Sequence, residues 1–265
     1  MKKIGFIGSG NMASAIMGGI VKKGIFAPDE IIASDMSAQA RQKAADGLGI
    51  CVTADNKEVV KEAEIVVFSI KPQFYAAVLE EVKELVREEQ IVLTIAPGWT
   101  LDKIQEHLGK PHKIVRTMPN TPALVGEGIT GVCHNSLVTE EDMARVMEVL
   151  NSFGRAELLS EKLLDVVVSV SGSSPAYVFM MIEAMADAAV ADGMPRQQAY
   201  TFAAQAVYGS AKMVLETGKH PGELKDMVCS PGGTTIEAVG VLEKKGFRSA
   251  IFECMRACVK KARGL

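Results

Sequence analysis

The stretch KKIGFIGSGNMASAI, residues 2–16, decides the fold that this sequence predicts. Its apolar residues 4–7 have the character of a buried parallel strand, and residues 11–23 have the apolar spacing of a helix. A G-x-G-x-x-A pattern that begins at Gly8 joins the two. Gly8 permits the tight turn, Gly10 lets a pyrophosphate approach the backbone, and the closing alanine keeps the helix close to the sheet. The stretch therefore predicts a dinucleotide-binding turn, with phosphates held at the helix N-terminus.

Strand-like and helix-like segments alternate on from this stretch to about residue 162. Strands are predicted at residues 4–7, 30–34, 50–53, 64–70, 91–95, 113–117 and 130–134. Helices are predicted at residues 11–23, 37–46 and 74–86. This alternation predicts an α/β fold with an N-terminal Rossmann-type, doubly wound and mainly parallel sheet.

The pattern after residue 163 is helical throughout. Helices are predicted at residues 175–192, 196–216, 221–228, 235–245 and 248–263, separated by Gly and Pro. The first of these is apolar around most of its circumference, which indicates burial on more than one side. Roughly 100 residues of helix enclose little interior of their own, so we expect a second copy of the chain to cover it. A central helix of a monomeric bundle is the alternative.

Two domains follow from this change of pattern. Residues 1–162 are predicted to form the dinucleotide-binding (Rossmann) domain, and residues 163–265 an all-α dimerisation and substrate domain.

Composition and charge exclude several classes of partner. The formal net charge is -3 and Lys and Arg are dispersed, so neither nucleic acid nor an anionic membrane is expected to bind. The five cysteines have no CxxC and no metal-type spacing with the four histidines, so no metal site is predicted. Without a charged leader or an apolar run of about 20 residues, we expect a cytoplasmic protein in a reducing compartment.

The end of the second predicted strand bears on the choice of nucleotide. Asp35 stands where a carboxylate binds the ribose 2′-OH of NAD and repels a 2′-phosphate. Ser34 and Ser37 could instead hydrogen-bond a phosphate, and the first arginine that follows is Arg41. These residues lean slightly towards NADH and leave the choice open.

Two later strand ends are expected to line the same crevice. Ser69-Ile70-Lys71-Pro72 follows the fourth strand, and Ala96-Pro97-Gly98 follows the fifth. Ligands of open parallel sheets bind outside the carboxyl ends of the strands. Lys71 is either a contact of the cofactor or an ordinary solvated lysine.

A loop near the C-terminus has the composition of an anion receptor. In CSPGGTTIEA, residues 229–238, two glycines and a proline precede a helix, and Thr234 with Glu237 has the spacing of a capping box. A well-capped helix alone would explain that spacing. The further hydroxyls and glycines predict instead a site for a small carboxylate at the positive helix end.

Four stretches together resemble the pyrroline-5-carboxylate reductase family, and the resemblance covers essentially the whole chain. They are GFIGSGNMASAI (5–16), RTMPNTP (116–122), VSGSSPAY (170–177) and HPGELKDMVCSPGGTTIEAVGVLE (220–243). The resemblance implies a Rossmann domain followed by a helical domain that interlocks with that of a second subunit. It also implies reduction of 1-pyrroline-5-carboxylate to L-proline by NADPH, with NADH as the alternative.

The resemblance assigns roles to particular residues. It implies cofactor contact for Gly8, Ser9, Gly10, Asn11, Met12, Ser34, Asn56, Ile70, Lys71, Pro72, Ala96 and Pro97, and a place beside the nicotinamide for Met118, Pro119, Asn120 and Thr121. It implies substrate contact for Ser230, Gly233, Thr234 and Thr235, and product contact for Glu161. Two positions depart from the family pattern: Pro97 replaces a commonly small residue, and Asp35 obscures the choice of nucleotide.

The predicted chemistry needs little from the protein beyond orientation. An imine is basic enough to be protonated before hydride adds to its carbon, so the chain mainly positions two ligands while the cofactor does the redox work. We expect the 230–235 loop to hold the substrate carboxylate and Thr235 to hydrogen-bond the ring nitrogen. A β-hydroxyacid dehydrogenase is the rival enzyme, but residues 171–192 lack the lysine base that its chemistry uses. A non-catalytic nucleotide-binding protein is the rival outside enzymes.

Overall fold

A computed structural model describes residues 1–264 of the 265-residue chain. Its strands are β1 (Lys2–Ile7), β2 (Ile31–Ser34), β3 (Cys51–Thr53), β4 (Ala63–Phe68), β5 (Ile91–Thr94), β6 (Lys113–Met118), β7 (Gly128–His134) and β8 (Gly154–Leu158). Its helices are α1 (Asn11–Lys23), α2 (Ala38–Leu48), α3 (Asn56–Glu62), α4 (Tyr75–Val82), α5 (Leu101–Leu108), α6 (Glu140–Leu150), α7 (Leu164–Val167), α8 (Ser174–Ala191), α9 (Arg196–Thr217), α10 (Pro221–Val228), α11 (Thr234–Lys244) and α12 (Phe247–Ala262).

All eight strands form one sheet in the order β3-β2-β1-β4-β5-β6-β7-β8. The strands from β1 to β6 are parallel, β7 is antiparallel to β6, and β8 is parallel to β7. The order reverses at the β1–β4 pair, which is the switch point of a doubly wound fold. The predicted Rossmann-type, mainly parallel sheet is confirmed.

Helices cover both faces of this sheet. On one face α1 buries Ile16, Met17 and Ile20 against alternate residues of the strands. On the other face Leu79 of α4 and Ile104 of α5 pack against the opposite set. The strands are therefore apolar on both sides, as the runs that predicted them required.

Strand β8 and helices α3, α5 and α6 were not among the elements predicted for this sheet domain. In β8 only Ala156 is buried, so this edge strand lacks a continuous apolar run. The helices α5 and α6 are short and amphipathic, and each is capped by a threonine, Thr100 and Thr139 respectively. Their caps were visible signals in the sequence, because a threonine at that position satisfies orphan N–H groups of the first turn.

Contacts between Cα atoms divide the chain into two compact units. One comprises residues 1–173 and 259–265 and contains the whole sheet, and the other comprises residues 174–258. Within the second unit α8 packs on α9, yet only Ala186, Ala199 and Ala203 are buried in residues 174–258. Large apolar side chains of this unit are exposed instead, among them Phe179, Met180, Phe202, Leu215 and Phe252.

One helical stretch corrects the expectation that no apolar run reaches membrane-spanning length. Glu161–Ala191 forms a helical stretch of 31 residues, within which a window of 18 residues has a mean hydropathy of 1.4, enough by length and composition alone to cross a membrane. The expectation was wrong because the turns before residue 174 continue directly into α8 through a π-helical segment, Val168–Gly172. A buried helix of a soluble protein passes the same test, so this stretch alone carries no conclusion about a membrane.

Candidate functional site

The carboxyl ends of the parallel strands bring most of the predicted site residues to one edge of the sheet. Because β1, β2, β4, β5 and β6 run the same way, the segments that follow them all emerge at this edge. These segments carry the cofactor residues predicted for the first unit, with Asn56 at the start of α3 beside them. Ligand sites of open α/β sheets lie at this edge.

Gly8 makes the turn that the sequence predicted. Its φ is +99°, and its N–H donates to the carbonyl oxygen of Ser34 at 2.8 Å. A Cβ at this position would lie 2.8 Å from the carbonyl oxygen of Ser69. Only glycine combines this backbone conformation with so close an approach to the neighbouring strand end.

Gly10 begins α1 and leaves room for a ligand. It is the N-cap residue, and no side chain in residues 1–264 caps the helix there. No described atom would lie within 4 Å of a Cβ at Gly10, so a group can approach its backbone. The N–H groups of the first turn, which begins with Asn11 and Met12, therefore remain available to an anion. This combination of open space and free donors fits a dinucleotide pyrophosphate.

Asp35 is fixed by donors from two loops. One carboxylate oxygen accepts the Ser9 N–H at 2.9 Å and the Ser9 hydroxyl at 3.1 Å, and the other accepts the Ser37 N–H at 2.9 Å. Arg41 turns towards the backbone here, donating to the carbonyl oxygen of Asp35 at 2.7 Å and to that of Met36 at 3.3 Å. The end of β2 thus carries the half-buried Asp35 carboxylate, which hydrogen bonds hold in place, while the Arg41 guanidinium binds the backbone of the same segment.

Ser34 and Asn56 form a second polar link at this edge. The buried Ser34 hydroxyl donates to the Asn56 side-chain oxygen at 2.7 Å, and the Asn56 amide donates to Glu81 at 3.1 Å. Asn56 begins α3, which Asp55 caps through the Lys57 N–H. The structure therefore brings Ser34 and Asn56 together as one hydrogen-bonded pair.

The segments after β4 and β5 are joined by an aromatic brace that the sequence did not predict. The indole N–H of Trp99 donates to the carbonyl oxygen of Pro72 at 3.1 Å, and the ring stacks on Tyr75 with centroids 5.0 Å apart. The Tyr75 hydroxyl donates to the carbonyl oxygen of Phe68 and accepts a hydrogen bond from the Thr94 hydroxyl at 2.9 Å. Burial raises the pKa of Tyr75, partly offset by the bond from Thr94, so the phenol stays neutral.

This brace sets the surroundings of four predicted cofactor residues. Ile70 and Pro72 lie before it, and Ala96 is buried while Pro97 is exposed. Lys71 is exposed, and its side chain bonds no other residue that the structure describes. The alternative that Lys71 is a solvated lysine and the alternative that it meets the cofactor both fit this placement. The signal for Trp99 was available, since it is the single tryptophan and follows a predicted loop.

The loop after β6 is held by Asn120. Its side-chain oxygen accepts the Ile129 N–H at 2.8 Å, and its amide donates to the carbonyl oxygen of Ser171 at 3.1 Å. Met118 and Pro119 beside it are buried, whereas Thr121 is exposed at the start of a 3₁₀ turn. Asn120 thus ties this loop to the π-helical segment, and Thr121 is the polar side chain left facing out.

Glu161 belongs to a buried ion network around Arg116. One of its oxygens accepts the Leu101 N–H at 2.9 Å and an Arg116 N–H at 3.0 Å, and Asp165 lies 3.6 Å from the same guanidinium. The Arg116 side chain is only 2% exposed. Burial, with the Glu161 charge, raises the pKa of the neighbouring Cys133 thiol to about 12, so this cysteine stays protonated. The sequence placed Arg116 in a family motif without assigning it this role.

The loop of residues 230–235 lies in the second unit and begins α11. Gly232 has φ +67°, and the Gly233 N–H donates to the carbonyl oxygen of Ser230 at 3.0 Å. A Cβ on Gly233 would lie 2.3 Å from the Ser230 hydroxyl oxygen and 3.2 Å from the Ser230 carbonyl oxygen, so a larger residue there would displace Ser230. The loop therefore packs Ser230 directly against the helix start.

The predicted capping box at this helix is wrong. Gly233, not Thr234, is the N-cap, and no described side chain caps α11. Thr234 is instead the first helical residue, one position too far along for its hydroxyl to serve as the cap while Glu237 reaches back. The N–H groups of the first turn consequently remain without a side-chain acceptor, next to the hydroxyls of Ser230, Thr234 and Thr235.

Among residues 1–264 no group of three or more His, Cys, Asp or Glu side chains is arranged to hold a metal ion. Cys51, Cys133, Cys229 and Cys254 are free thiols in the part of the chain that the structure describes.

Comparisons with known proteins cover both ends of the chain. A family model described as pyrroline-5-carboxylate reductase dimerisation matches residues 161–265, and one described as NADP oxidoreductase, coenzyme F420-dependent, matches residues 3–98. A pyrroline-5-carboxylate reductase of Escherichia coli is 54% identical over 264 residues, covering 100% of this chain and 98% of the relative. One of Methanosarcina acetivorans is 43% identical over 264 residues, covering 100% of this chain and 98% of that relative.

Solved structures agree with these matches. A pyrroline-5-carboxylate reductase from Coxiella burnetii has a TM-score of 0.92 at 34% identity, covering 99% of this chain and 98% of that one. A pyrroline carboxylate reductase from Plasmodium falciparum, solved with NADP bound, has a TM-score of 0.90 at 31% identity, covering 99% and 97%.

Proposed function

The chain belongs to the pyrroline-5-carboxylate reductase family, and from that premise we propose that it reduces 1-pyrroline-5-carboxylate to L-proline, the last step of proline biosynthesis. The enzyme is an NAD(P)H-dependent oxidoreductase that acts on a C=N bond. The nicotinamide, when bound, supplies the hydride, and the roles proposed below belong to the residues of this chain.

The observation that carries the proposal is the uncapped start of α11. The loop before it offers first-turn N–H groups and the hydroxyls of Ser230, Thr234 and Thr235 without a side-chain cap from any described residue. Free donors at a positive helix end favour a small anion. We assign the substrate carboxylate to this loop, where Gly233 keeps the backbone accessible and Ser230 supplies a hydroxyl.

Thr235 is the residue we assign to the ring nitrogen. A hydroxyl can donate to a neutral imine or accept from an iminium, so it orients the C=N bond in either protonation state. The imine is basic, and no strong acid is needed to activate it. The contribution of the chain is therefore orientation, which can lower a barrier by several kcal/mol, about 7 or more in favourable cases.

The cofactor residues divide into groups with different tasks. The turn of Gly8, Ser9, Gly10, Asn11 and Met12 would hold the pyrophosphate at the start of α1, where the donors are free. Ser34, Asp35 and Asn56 would contact the adenosine side, at the end of β2. The remaining cofactor residues, proposed to line the path to the nicotinamide, are Ile70, Lys71, Pro72, Ala96, Pro97, Met118, Pro119, Asn120 and Thr121.

Glu161 is proposed to contact the product through its second carboxylate oxygen. The first oxygen is occupied by Leu101 and Arg116, whereas the second bonds none of the described residues. Two donors therefore fix the direction of this carboxylate before any ligand arrives.

A second copy of the chain is the proposed partner. The unit of residues 174–258 exposes many large apolar side chains and buries few, which is the composition of a surface covered by another subunit. We propose residues 1–162 as the nucleotide-binding domain and 163–265 as the helical dimerisation and substrate domain. We also propose that the protein is cytoplasmic. Its net charge of -3 gives no electrostatic reason for binding nucleic acid or an anionic membrane, and we propose neither as a partner.

Oxidation of NADPH and NADH in the presence of 1-pyrroline-5-carboxylate, with proline quantified, tests the proposal. We expect one proline for each reduced nicotinamide consumed. Protein that binds a nucleotide yet turns over neither with this substrate would contradict the proposed reaction. A β-hydroxyacid offered with the oxidised nucleotide serves as the control for the rival dehydrogenase, and we expect no turnover.

A further inference from the structure

The Asp35 carboxylate occupies donors that a phosphate could otherwise use. Both the N–H and the hydroxyl of Ser9 donate to one of its oxygens, and the Ser37 N–H donates to the other. The sequence offered the hydroxyls of Ser34 and Ser37 to a 2′-phosphate, but the Ser34 hydroxyl donates to Asn56 and the Ser37 hydroxyl accepts the Ala40 N–H. Both donors of Ser9 and the N–H of Ser37 already point at a negative charge of the protein itself.

The carboxylate is also held in place. Three hydrogen bonds from two different loops fix it, so moving it away from a bound nucleotide would break contacts on both sides. A carboxylate at the end of the second strand accepts a hydrogen bond from the ribose 2′-OH of NAD. A 2′-phosphate in its place brings about two negative charges near a fixed third.

Arg41 does not offset this charge directly. Its guanidinium donates to the carbonyl oxygens of Asp35 and Met36, not to the carboxylate, and so it supports the backbone of the strand end. Freeing it for a phosphate would cost those two bonds. We therefore expect Arg41 to bind a 2′-phosphate only when the negative charge of Asp35 has been removed.

From these contacts we propose that Asp35 is a specificity-determining residue that makes this chain prefer NADH over NADPH. The inference rests on the proposed function only for the identity of the site, because it concerns the nucleotide and not the imine acid.

Direct binding of the two reduced nucleotides to the full-length protein tests this. We expect the native chain to bind NADH at least about tenfold more tightly than NADPH, a difference of about 1.4 kcal/mol. Asp35→Asn keeps the shape and an oxygen acceptor for Ser9 but removes the charge, and we expect it to bring the two affinities to within about threefold. The matched control is Asp46→Asn, which removes an exposed carboxylate bonded to neutral Gln42 and should leave the ratio unchanged.

Two further measurements separate charge from shape. Raising the ionic strength should narrow the preference of the native chain and have less effect on Asp35→Asn, because salt screens a repulsion between partly exposed charges. Adding Arg41→Ala to Asp35→Asn should remove much of the NADPH affinity that the single variant gains. Circular dichroism and thermal unfolding check that each variant folds.

The outcomes distinguish this inference from the proposed reaction. If the native chain binds NADPH as tightly as NADH, or if Asp35→Asn leaves the ratio unchanged, the role of Asp35 is overturned even when proline forms. Absence of proline with either nucleotide would overturn the reaction and leave the binding ratio intact as a test of Asp35.

Discussion

Trp99 donates its indole N–H to the carbonyl oxygen of Pro72 at 3.1 Å. This single bond joins the segment after β4 to the segment after β5, both of which carry proposed cofactor residues. Stacking of the same indole on Tyr75 fixes its plane, and Lys103 lies over the ring at 4.2 Å. The side chain of Trp99, which points into the core, therefore fixes the two loops proposed to line the nucleotide path relative to each other.

Trp99→Phe should weaken nucleotide binding and change turnover less. Phenylalanine keeps an aromatic ring against Tyr75 but loses the donor to Pro72, which costs about 1 kcal/mol of loop alignment. We expect the KM for the reduced nucleotide to rise roughly fivefold and kcat to stay within about twofold. Steady-state kinetics with each substrate varied in turn measure this, and the KM of the imine acid provides the internal control. An unchanged nucleotide KM would contradict the brace.

Glu161→Gln should destabilise the fold. The substitution keeps an oxygen for the Leu101 N–H but removes the charge that faces the buried Arg116, leaving Asp165 at 3.6 Å as the remaining counter-charge. Breaking a buried ion pair costs up to about 3–5 kcal/mol of folding free energy. Because the Asp165 carboxylate remains near Arg116 and Glu161 is partly exposed, we expect a loss of about 1–2 kcal/mol. Urea unfolding followed by circular dichroism gives the difference.

Glu157→Gln is the matched control for that change. Glu157 forms an ion pair with Arg155, and the side chains of the two residues are 49% and 65% exposed, respectively. Such surface pairs contribute little, so we expect a loss below about 0.5 kcal/mol. Equal losses in the two variants would show that the Arg116 network adds no stability beyond an ordinary surface pair.

Asp142→Asn should make the protein less stable at neutral pH and less sensitive to acid. Burial alone would raise the pKa of Asp142, but the Lys113 ammonium and the N–H and hydroxyl of Thr139 outweigh it and hold the pKa below its usual value. Because the pKa of Asp142 is lower in the folded state than in the unfolded state, its ionisation stabilises the fold at pH values above the unfolded-state pKa of about 3.9. That stability is lost as the pH falls through the folded-state pKa.

Urea unfolding from neutral pH down to about pH 3 measures this effect. We expect native protein and Asp142→Asn to differ by about 1–2 kcal/mol at neutral pH, the cost of losing the ion pair with Lys113 and of replacing charged by neutral hydrogen bonds from Thr139. The difference should shrink below about pH 4, where the native carboxylate becomes protonated. Asp46→Asn, which loses an exposed carboxylate, should show a small difference that varies little with pH. A difference for Asp142→Asn that is constant over the whole range would contradict the ionic contribution.

The central strands of the sheet were predictable because each one has a recognisable pattern in its own short stretch of sequence. A strand buried on both faces needs a short apolar run, and β1, β2, β4 and β5 each have one. The edge strand β8 buries only Ala156, so its pairing with β7 depends on partners that are distant in sequence. Local patterns carry no trace of such a partner.

The site was predictable where a backbone requirement selects a residue type. Gly8 could be predicted because only glycine readily adopts its positive φ, and Gly10 because the absence of a side chain leaves its backbone open to a ligand. The partners of Asp35, Glu161 and Trp99 were not, since each bond joins segments that are brought together only by the sheet. The capping box at Thr234 failed for a related reason: the Gly233 N–H bonds the Ser230 carbonyl oxygen, and α11 begins with Gly233 as its N-cap, one residue before the position that the Thr-x-x-Glu spacing predicts.

Thr235→Ala should reduce turnover strongly without abolishing it. The variant loses the hydroxyl proposed to orient the imine nitrogen, while the N–H groups at the start of α11 and the Ser230 hydroxyl remain for the carboxylate. Loss of one oriented hydrogen bond to the reacting group lowers kcat by roughly 10- to 100-fold, because its energy is realised mainly in the transition state. Thr201→Ala, which removes a hydroxyl bonded only to the Gln197 carbonyl of its own helix, should leave kcat within about twofold. Thr235→Ser, which retains the hydroxyl, should recover most of the lost rate if the bond and not the methyl group matters. Steady-state kinetics on all three variants decide the role of Thr235: an unchanged kcat in Thr235→Ala would remove it, and a failure of Thr235→Ser to recover would assign the loss to packing.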